Sequence, residues 1–366
     1  MLFSNHKENI IAIRSEYHGR IISDFCLHLL AFKNTYGKAC VLEQLRFDIF
    51  SGKDLVETSF MPPKNLAYCL KKSFTWMDSI SADKDLHKFV TGAIFGMEKF
   101  WKVGQLSDSL KVGAGKIAAF RLVVPMKISY SKPVDRIVIS LAYKRNSECV
   151  KESIELNIIE YKSKNKYIFP AKGNWVITDT YQTDSHRHGF NNEFAFDAGQ
   201  LDDDLMIITK PFMHNADYPH YGKDLVAVAD GKVIDLCDGY PEPDLGFGKS
   251  LPWEKRHKLI SKFNYNSFYD GNYVVIQFDN NESALYAHLK PGSVRVKKGR
   301  SVRQGDIIGQ VGNTGCSICP HIHFHVFEGT SLSFGRGLPV CFTNITHFQG
   351  NKIKEMITED TIVHAV

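Results

Sequence analysis

The sequence predicts a mainly β protein built from two domains, and three observations support this fold class. Short apolar runs separated by Gly, Asn and Asp dominate the second half of the chain. Similar β-rich runs fill much of the first half, where helical periodicity is confined to one stretch. The length of 366 residues exceeds that of a typical single domain, so two domains are expected.

The first domain is predicted at residues 1–165 as a mainly β, sandwich-like unit. The runs KIAAFRLVVPM, DRIVISLAYK and ESIELNIIEY are typical of strands separated by turns. Apolar residues recur at helical spacing over 86–101, which predicts one helical excursion. No cluster of metal-binding residue types occurs in this part of the sequence, so we expect a spacer or recognition role of unknown detail.

The second domain is predicted at 171–350 as an antiparallel β sandwich or barrel. Runs such as LVAVADGKVIDL and GNYVVIQFDN are punctuated by turn signals every eight to twelve residues. The polar, aromatic segment 238–271 is a long insertion, which is often a functional wall or lid. Residues 351–366 are predicted to be a C-terminal tail.

Composition excludes several classes of function. Lys and Arg number 45 against 40 Asp and Glu, and this mild excess does not favour nucleic acid as a partner. The apolar run IISDFCLHLLAF is interrupted by Asp24 and His28, so we expect neither a membrane span nor a secretory signal there. The eight cysteines are scattered and do not indicate a disulfide scaffold.

The stretch GCSICPHIHFHVFEG carries three histidines at alternate positions. Because side chains alternate between the faces of a strand, His321, His323 and His325 share one face and the residues between them face the core. His321 and His323 are about 6.6 Å apart along a strand and can converge on one site, whereas His321 and His325, about 13 Å apart, cannot bind one small ion. We therefore expect this strand to supply one or two metal ligands.

Other candidate ligands lie upstream, at His186 and His188, at Asp197 and at His288. Zinc in a hydrolase takes three ligands from His and Asp or Glu and leaves one position to water. Together with His321 and His323, this pool suffices for three ligands and one or two catalytic imidazoles. The pair Cys316 and Cys319 has no second pair to complete a zinc ribbon, so a tight turn is favoured and a disulfide is the alternative.

The order of these motifs resembles that of the lysostaphin-like zinc metallopeptidases, which cleave peptide bonds in bacterial peptidoglycan. The resemblance covers roughly residues 171–330 and rests on LVAVADGKVI, YVVIQF, LYAHLKPGSVRVKKGRSVRQGDIIGQVGNTG and CPHIHFHVFE. It implies a compact antiparallel β fold of the duplicated-hybrid-motif type, with the site in a groove on its sheet. It also implies action outside the cytoplasm.

Residue by residue, the resemblance implies that one Zn²⁺ per chain is bound by His186, Asp197 and His323. His288 and His321 would be the catalytic imidazoles beside the activated water, with either one as the base. The spacing before Asp197 is longer than the family often has, so His188 competes with His186 as the first ligand. His325 stands where an acidic residue is common and receives no role.

The resemblance leaves three functions to be distinguished. The first is a zinc endopeptidase that acts on stem peptides or cross-links of the bacterial cell wall. The second is a non-catalytic wall-binding or activator module of the same fold. The third is a zinc peptidase with a peptide target outside the wall, which stays open because we expect no secretory signal in this sequence. Because all motif positions are filled, we expect the first.

Overall fold

The structure is a computed structural model that describes residues 1–6, 8–81, 87, 91–92, 102–202, 204, 206–207, 214–244, 251–347 and 349–366. The chain divides into two compact units, Met1–Tyr161 and Lys162–Val366. The mainly β fold class is confirmed, since strands dominate both units. None of the helices in the described ranges combines the length and the hydropathy needed to cross a bilayer.

The described part of the first unit contains one long helix and nine strands that form a single sheet. The spatial order is β1-β3-β2-β9-β8-β4-β5, with β7 beside β3 and β6 beside β4. The strands are β1 (Leu2–Ser4), β2 (Asn9–Tyr17), β3 (Arg20–Lys33), β4 (Cys40–Ser51), β5 (Asp54–Met61), β6 (Lys111–Val112), β7 (Ile117–Tyr130), β8 (Arg136–Arg145) and β9 (Glu148–Ile159), and the helix is α1 (Pro63–Ser79).

Helix α1 was not predicted, although its sequence is compatible with a helix. Leu66, Leu70 and Met77 are buried at helical spacing, and a proline begins the first turn, where its missing N–H costs nothing. The helix packs against β4 and β7. The helical excursion predicted at 86–101 lies almost wholly outside the described residues.

The second unit contains three short helices and twelve strands among its described residues. The helices are α2 (Asp184–Arg187), α3 (Trp253–Ile260) and α4 (Tyr265–Asp270). The strands are β10 (Gly173–Asp179), β11 (Phe196–Gln200), β12 (Asp224–Val226), β13 (Gly231–Cys237), β14 (Asn272–Gln277), β15 (Glu282–Leu289), β16 (Ser301–Val302), β17 (Ile307–Gln310), β18 (Ile322–Glu328), β19 (Gly337–Leu338), β20 (Ile345–His347) and β21 (Ile362–Ala365).

Ten of these strands form one antiparallel sheet, in the order β16-β13-β14-β15-β18-β11-β10-β21-β20, with β19 beside β18. Strands β12 and β17 pair separately. Strand β21 pairs with both β10 and β20, so the end of the chain contributes a strand to this sheet where the sequence predicts a tail. The histidine-bearing strand β18 lies near the centre of the sheet, between β15 and β11.

Every second residue of β18 from Ile322 to Val326 is apolar, and these side chains pack against an aromatic cluster. Ile322, Phe324 and Val326 are almost fully buried, as the alternation predicts. The Phe324 ring packs against Phe196 and Tyr286, with ring centres 5.6 and 5.1 Å apart. Each such side chain contributes about 1.5–3 kcal/mol when it is fully buried. This packing fixes which face of β18 the histidines occupy.

The face that carries the histidines is also covered in part. A second apolar cluster on it includes Leu285, Phe327 and Tyr273. The insertion at 238–271 contributes Tyr240 to this cluster, and Leu259 packs against it. The insertion therefore forms part of the wall on the side of the sheet that carries the candidate site.

Candidate active site

One row of cross-strand neighbours forms the base of the candidate site. Asp179 of β10 is opposite Asp197 of β11, Asp197 is opposite His323 of β18, and His323 is opposite Ala287 of β15. Directly opposed residues of antiparallel strands point to the same face of a sheet. The register therefore brings side chains from distant parts of the sequence to one place.

Asp197 lies between two imidazoles. Its Oδ1 atom is 2.9 Å from His323 Nδ1 and 3.4 Å from His186 Nε2. His186 comes from α2, in the connection between β10 and β11, and is only 4% exposed. One donor atom from each of the three residues lies within 4.8 Å of the other two.

This donor set fits a divalent transition metal. Two imidazole nitrogens and one carboxylate oxygen are the ligands that zinc takes in hydrolases, with a further position left for water. His186 and His323 both direct a ring nitrogen at the same carboxylate oxygen, so the three donors converge on one place. The opposite nitrogen of His186, Nδ1, is buried and faces the Asp179 carboxylate, with Oδ1 3.6 Å away, an arrangement that suits a ring that binds an ion through Nε2.

His288 reaches the same face through a distortion of β15. Asn272 pairs with Leu289 but Val274 pairs with Tyr286, so Ala287 and His288 together oppose one residue of β14. Such a bulge redirects a side chain, and His288 also has a positive φ of 60°, which is unusual for a residue other than glycine. Backbone strain of this kind is concentrated at functional sites.

The loop after β17 fixes the orientation of the His288 ring. His288 Nδ1 is 2.8 Å from the carbonyl oxygen of Thr314, which can only accept, so Nδ1 carries the proton. Thr314 is itself held, because its Oγ1 atom donates to Leu289 and accepts from the N–H of Asn272. The Nε2 lone pair of His288 is thereby left to accept a proton.

His321 precedes β18 and lies beside His288, with ring centres 4.7 Å apart. Its Nδ1 is 2.8 Å from the Cys319 carbonyl oxygen and 3.2 Å from Ser317 Oγ. Its Nε2 is 3.6 Å from Asp197 Oδ2. A second donor group consists of His288, His321 and His323, so His323 belongs to both groups.

The ionisation of these residues differs with their surroundings. Burial opposes the charge of Asp197, but His186 and His321 together hold its pKa well below the usual value. Burial would also lower the pKa of His321, yet the Asp197 carboxylate and the contacts with Cys319 raise it to about 9. Burial, reinforced by the charges of His321 and His323, holds the pKa of His288 well below its ordinary value. The pair His288 and His321 thus differs in proton affinity.

Two further residues that contact the site were not predicted from the sequence. Asp179 Oδ1 lies 3.6 Å from His186 Nδ1, and its carboxylate accepts hydrogen bonds from Thr183 and Ser185. His220 bonds to the backbone on both sides of the site, at Gln200 and Pro320. Asp179 could have been considered, because it ends the strand-like run WVITD with a carboxylate. Nothing near His220 in the sequence indicates its partners.

The structure shows where the residues of two open alternatives lie. His186 belongs to the donor group around Asp197, and His188 belongs to neither group among the described residues. Cys316 and Cys319 are both free thiols, in the loop that carries the carbonyl partner of His321. The structure therefore brings together all five residues that the resemblance assigns: His186, Asp197, His288, His321 and His323.

Comparison with known proteins finds a family model that matches part of this chain. Residues 256–333 match the model of Peptidase family M23. The resemblance to lysostaphin-like metallopeptidases is thereby confirmed for this part of the chain. The matched range contains His288, His321 and His323, while His186 and Asp197 lie before it.

Similar proteins match different lengths of this chain. Peptidoglycan DD-endopeptidase ShyB of Vibrio cholerae is 27% identical over 236 residues, which cover 61% of this chain and 50% of the relative. Peptidoglycan DD-endopeptidase ShyA of the same organism is 46% identical over 75 residues, covering 20% of this chain and 15% of ShyA. The chain thus spans half or less of the length of these relatives. A solved zinc-containing peptidase from Vibrio cholerae is 13% identical, covering 88% of this chain and 82% of its own with a TM-score of 0.27.

Proposed function

Since residues 256–333 match Peptidase family M23, we propose that this chain is a zinc-dependent endopeptidase that hydrolyses peptide bonds of bacterial peptidoglycan. One observation carries the proposal: the two donor groups share His323. A metal position and a pair of imidazoles therefore lie side by side. That arrangement suits hydrolysis of an amide, which needs an activated water and a group to handle its proton.

His186, Asp197 and His323 would hold one zinc ion, through Nε2, a carboxylate oxygen and Nδ1, respectively. These are the atoms that face one another around Asp197. A bound zinc ion would supply Lewis acidity, which lowers the pKa of bound water to about 7 and polarises a carbonyl group. The low pKa of Asp197 keeps this carboxylate charged and able to act as a ligand at neutral pH.

His288 acts as the general base in this proposal. Its Nδ1 proton is committed to the Thr314 carbonyl, so Nε2 is the atom that takes a proton from the attacking water. Its lowered pKa keeps the ring neutral and able to accept at neutral pH. The same nitrogen then returns the proton to the leaving amine.

His321 stabilises the negative charge that develops on the carbonyl oxygen. Its Nδ1 is held by the Cys319 carbonyl, which aims Nε2 into the site beside Asp197. Without the metal, the Asp197 carboxylate and Cys319 raise the pKa of His321 to about 9, and as a cation the ring would donate from Nε2 to the oxyanion. In this proposal His288 transfers the proton, and His321 donates a hydrogen bond to the developing charge.

The class of substrate is supported by the relatives. ShyA and ShyB bear the name peptidoglycan DD-endopeptidase, and we extend that substrate to this chain. Peptidoglycan lies outside the cytoplasm, so the proposal includes extracytoplasmic action.

Digestion of purified peptidoglycan tests the proposal. Wild-type protein is incubated with the wall material alone, with a chelator, and with the chelator followed by added zinc, and released peptides are quantified. The variant His323→Ala removes the shared ligand, and His347→Ala removes an exposed histidine of the same unit as a control.

We expect wild type and His347→Ala to release peptides equally, the chelator to stop release, and zinc to restore it. His323→Ala should neither retain zinc nor release peptides. Peptide release by His323→Ala, or peptide release by wild type that the chelator does not reduce, would contradict the proposal.

A further inference from the structure

His325 lies on β18 two residues beyond His323 and on the same face. It is 2% exposed, and its Nδ1 atom is 3.2 Å from His323 Nε2. The opposite nitrogen of His323, Nδ1, is 2.9 Å from Asp197 Oδ1. His323 is therefore contacted at both ring nitrogens, by a carboxylate on one side and an imidazole on the other.

The position of one proton follows from this arrangement. A ring nitrogen binds a metal through its lone pair, so the ring proton of a neutral ligand histidine must be on the other nitrogen. The donor atoms of Asp197 and His186 converge on the Nδ1 side of His323. As a ligand, His323 therefore carries its proton on Nε2, and the group that faces Nε2 is His325 Nδ1.

The surroundings of His325 are mostly apolar, so burying an imidazole there costs free energy. Its Nε2 atom is buried without a hydrogen-bond partner in the described structure. Leu285 is its cross-strand neighbour, and the Phe327 ring centre is 5.8 Å away. An apolar side chain would suit these neighbours and leave no polar atom unpaired. The imidazole gains a hydrogen bond only at Nδ1, from His323.

We propose that His325 is a positioning residue, whose Nδ1 atom accepts the Nε2 proton of His323 and keeps the His323 Nδ1 lone pair directed at the metal position. The inference rests on the proposed function, because it takes His323 as a zinc ligand. His325 touches neither substrate nor metal in this account. Loss of such an outer partner typically weakens metal binding about 10- to 100-fold.

A pair of variants matched in shape separates the hydrogen bond from packing. Asn places a carbonyl oxygen where the histidine has Nδ1, so His325→Asn keeps an acceptor for His323. His325→Leu has nearly the same shape and no acceptor. Val326→Ala is the control, because Val326 is buried in the same strand on the opposite face and its loss perturbs packing alone. Zinc affinity is measured by competition with a chromophoric chelator, beside thermal unfolding of each metal-free protein.

We expect His325→Leu to bind zinc about 10- to 100-fold more weakly than wild type and His325→Asn to stay within about threefold. Val326→Ala should lower the unfolding temperature and leave zinc affinity unchanged. Equal affinities for the Leu and Asn variants, whether both are normal or both are weak, overturn the inference. If wild type itself binds no zinc, the proposed function fails and the inference fails with it.

A measurement on the wild-type protein covers the case in which a variant does not fold. Nitrogen-15 chemical shifts of the histidine rings in the zinc-loaded protein report which nitrogen carries each proton. We expect His323 protonated on Nε2 and the Nδ1 of His325 unprotonated. A protonated His325 Nδ1 would contradict the inference, even if zinc binds and peptides are released.

Discussion

His220 Nε2 lies 2.6 Å from the carbonyl oxygen of Pro320, the residue that precedes His321. The other ring nitrogen, Nδ1, accepts from the backbone N–H of Gln200 at the end of β11. Since a carbonyl only accepts and an amide N–H only donates, the ring must be neutral and protonated on Nε2. One buried histidine thus joins the strand that carries Asp197 to the loop that carries His321.

We expect His220→Phe to destabilise the protein by about 2–3 kcal/mol. Phe keeps an aromatic ring of similar shape beside Trp175 and Tyr218. It leaves the partly buried Gln200 N–H and the buried Pro320 carbonyl without their partner. Urea unfolding of both proteins at neutral pH measures the difference. An unchanged midpoint would show that neither hydrogen bond contributes to stability.

The same residue predicts a dependence of stability on pH. Burial lowers the pKa of His220 from 6.5 to about 4, and its backbone contacts offset this only in part. The unfolded chain therefore binds more protons between these two values, so stability is full above about pH 6.5 and falls as the pH decreases towards 4. The loss reaches roughly 3 kcal/mol, at about 1.4 kcal/mol for each pH unit.

His220→Gln isolates that contribution, because glutamine does not titrate. Wild type minus variant, measured by urea unfolding at several pH values, should give a difference that shrinks as the pH falls from 6.5 to 4. A constant difference over that range would show that His220 is not buried in its neutral form.

Much of the fold and of the candidate site could be predicted because it depends on local patterns. Alternation along β18 determines which face His323 occupies, and the buried Phe324 fixes that choice. The pairing of Asp197 with His323 could be anticipated only through the order of motifs, because their strands are separated by about 120 residues of sequence. Register across a sheet is set by the whole fold and not by either strand alone.

The contacts that orient the site were not predictable in this way. Asp179, Thr314 and His220 act through backbone atoms or through neighbours across strands, which no spacing rule reveals. The bulge at His288 has no clear signal in the run ALYAHLKPG, since a regular strand would account for the same letters. Helix α1 was missed because its segment lies between β-rich runs and its apolar face is narrow.

The two imidazoles beside His323 lead to a prediction about catalysis. We expect His288→Ala and His321→Ala to retain zinc but to lose turnover by about 10²- to 10⁴-fold, the usual contribution of a general acid or base. His288 and His321 lie outside the donor group around Asp197, so the metal position keeps its ligands. Zinc content by elemental analysis and peptide release from the wall are measured on the same samples. Loss of zinc from either variant would instead make that histidine a ligand.

Asp179 supports His186 in the same manner that we propose for His325 and His323. Its carboxylate faces His186 Nδ1 at 3.6 Å, close enough to favour the ring orientation that points Nε2 at Asp197. We expect Asp179→Ala to weaken zinc binding about 10- to 100-fold. Asp279→Ala, which removes an exposed carboxylate of the same unit, should bind zinc normally. Equal zinc affinity in the two variants would exclude this role for Asp179.

Gly315 follows Thr314, the residue whose carbonyl orients His288, and its backbone closely approaches the C-terminal end of helix α4. A Cβ atom at this position would lie 2.3 Å from the backbone nitrogen of Gly271 and 2.5 Å from the Tyr269 carbonyl oxygen. Neither backbone atom can move like a flexible side chain, so the loop itself must shift. We expect Gly315→Ala to destabilise the protein by about 2–4 kcal/mol, combining this clash with a φ of +75°.

Gly292 provides a control with nearly the same backbone conformation, a φ of +72°, and open space around the added methyl group. Gly292→Ala should therefore cost only the conformational strain, about 1–2 kcal/mol. Because the Gly315 loop carries Thr314, Gly315→Ala should also reduce peptide release more than zinc affinity, while Gly292→Ala changes neither. Unfolding midpoints, zinc affinity and peptide release are measured for both variants. Equal losses of stability in the two variants would show that the clash at Gly315 adds nothing to the conformational strain.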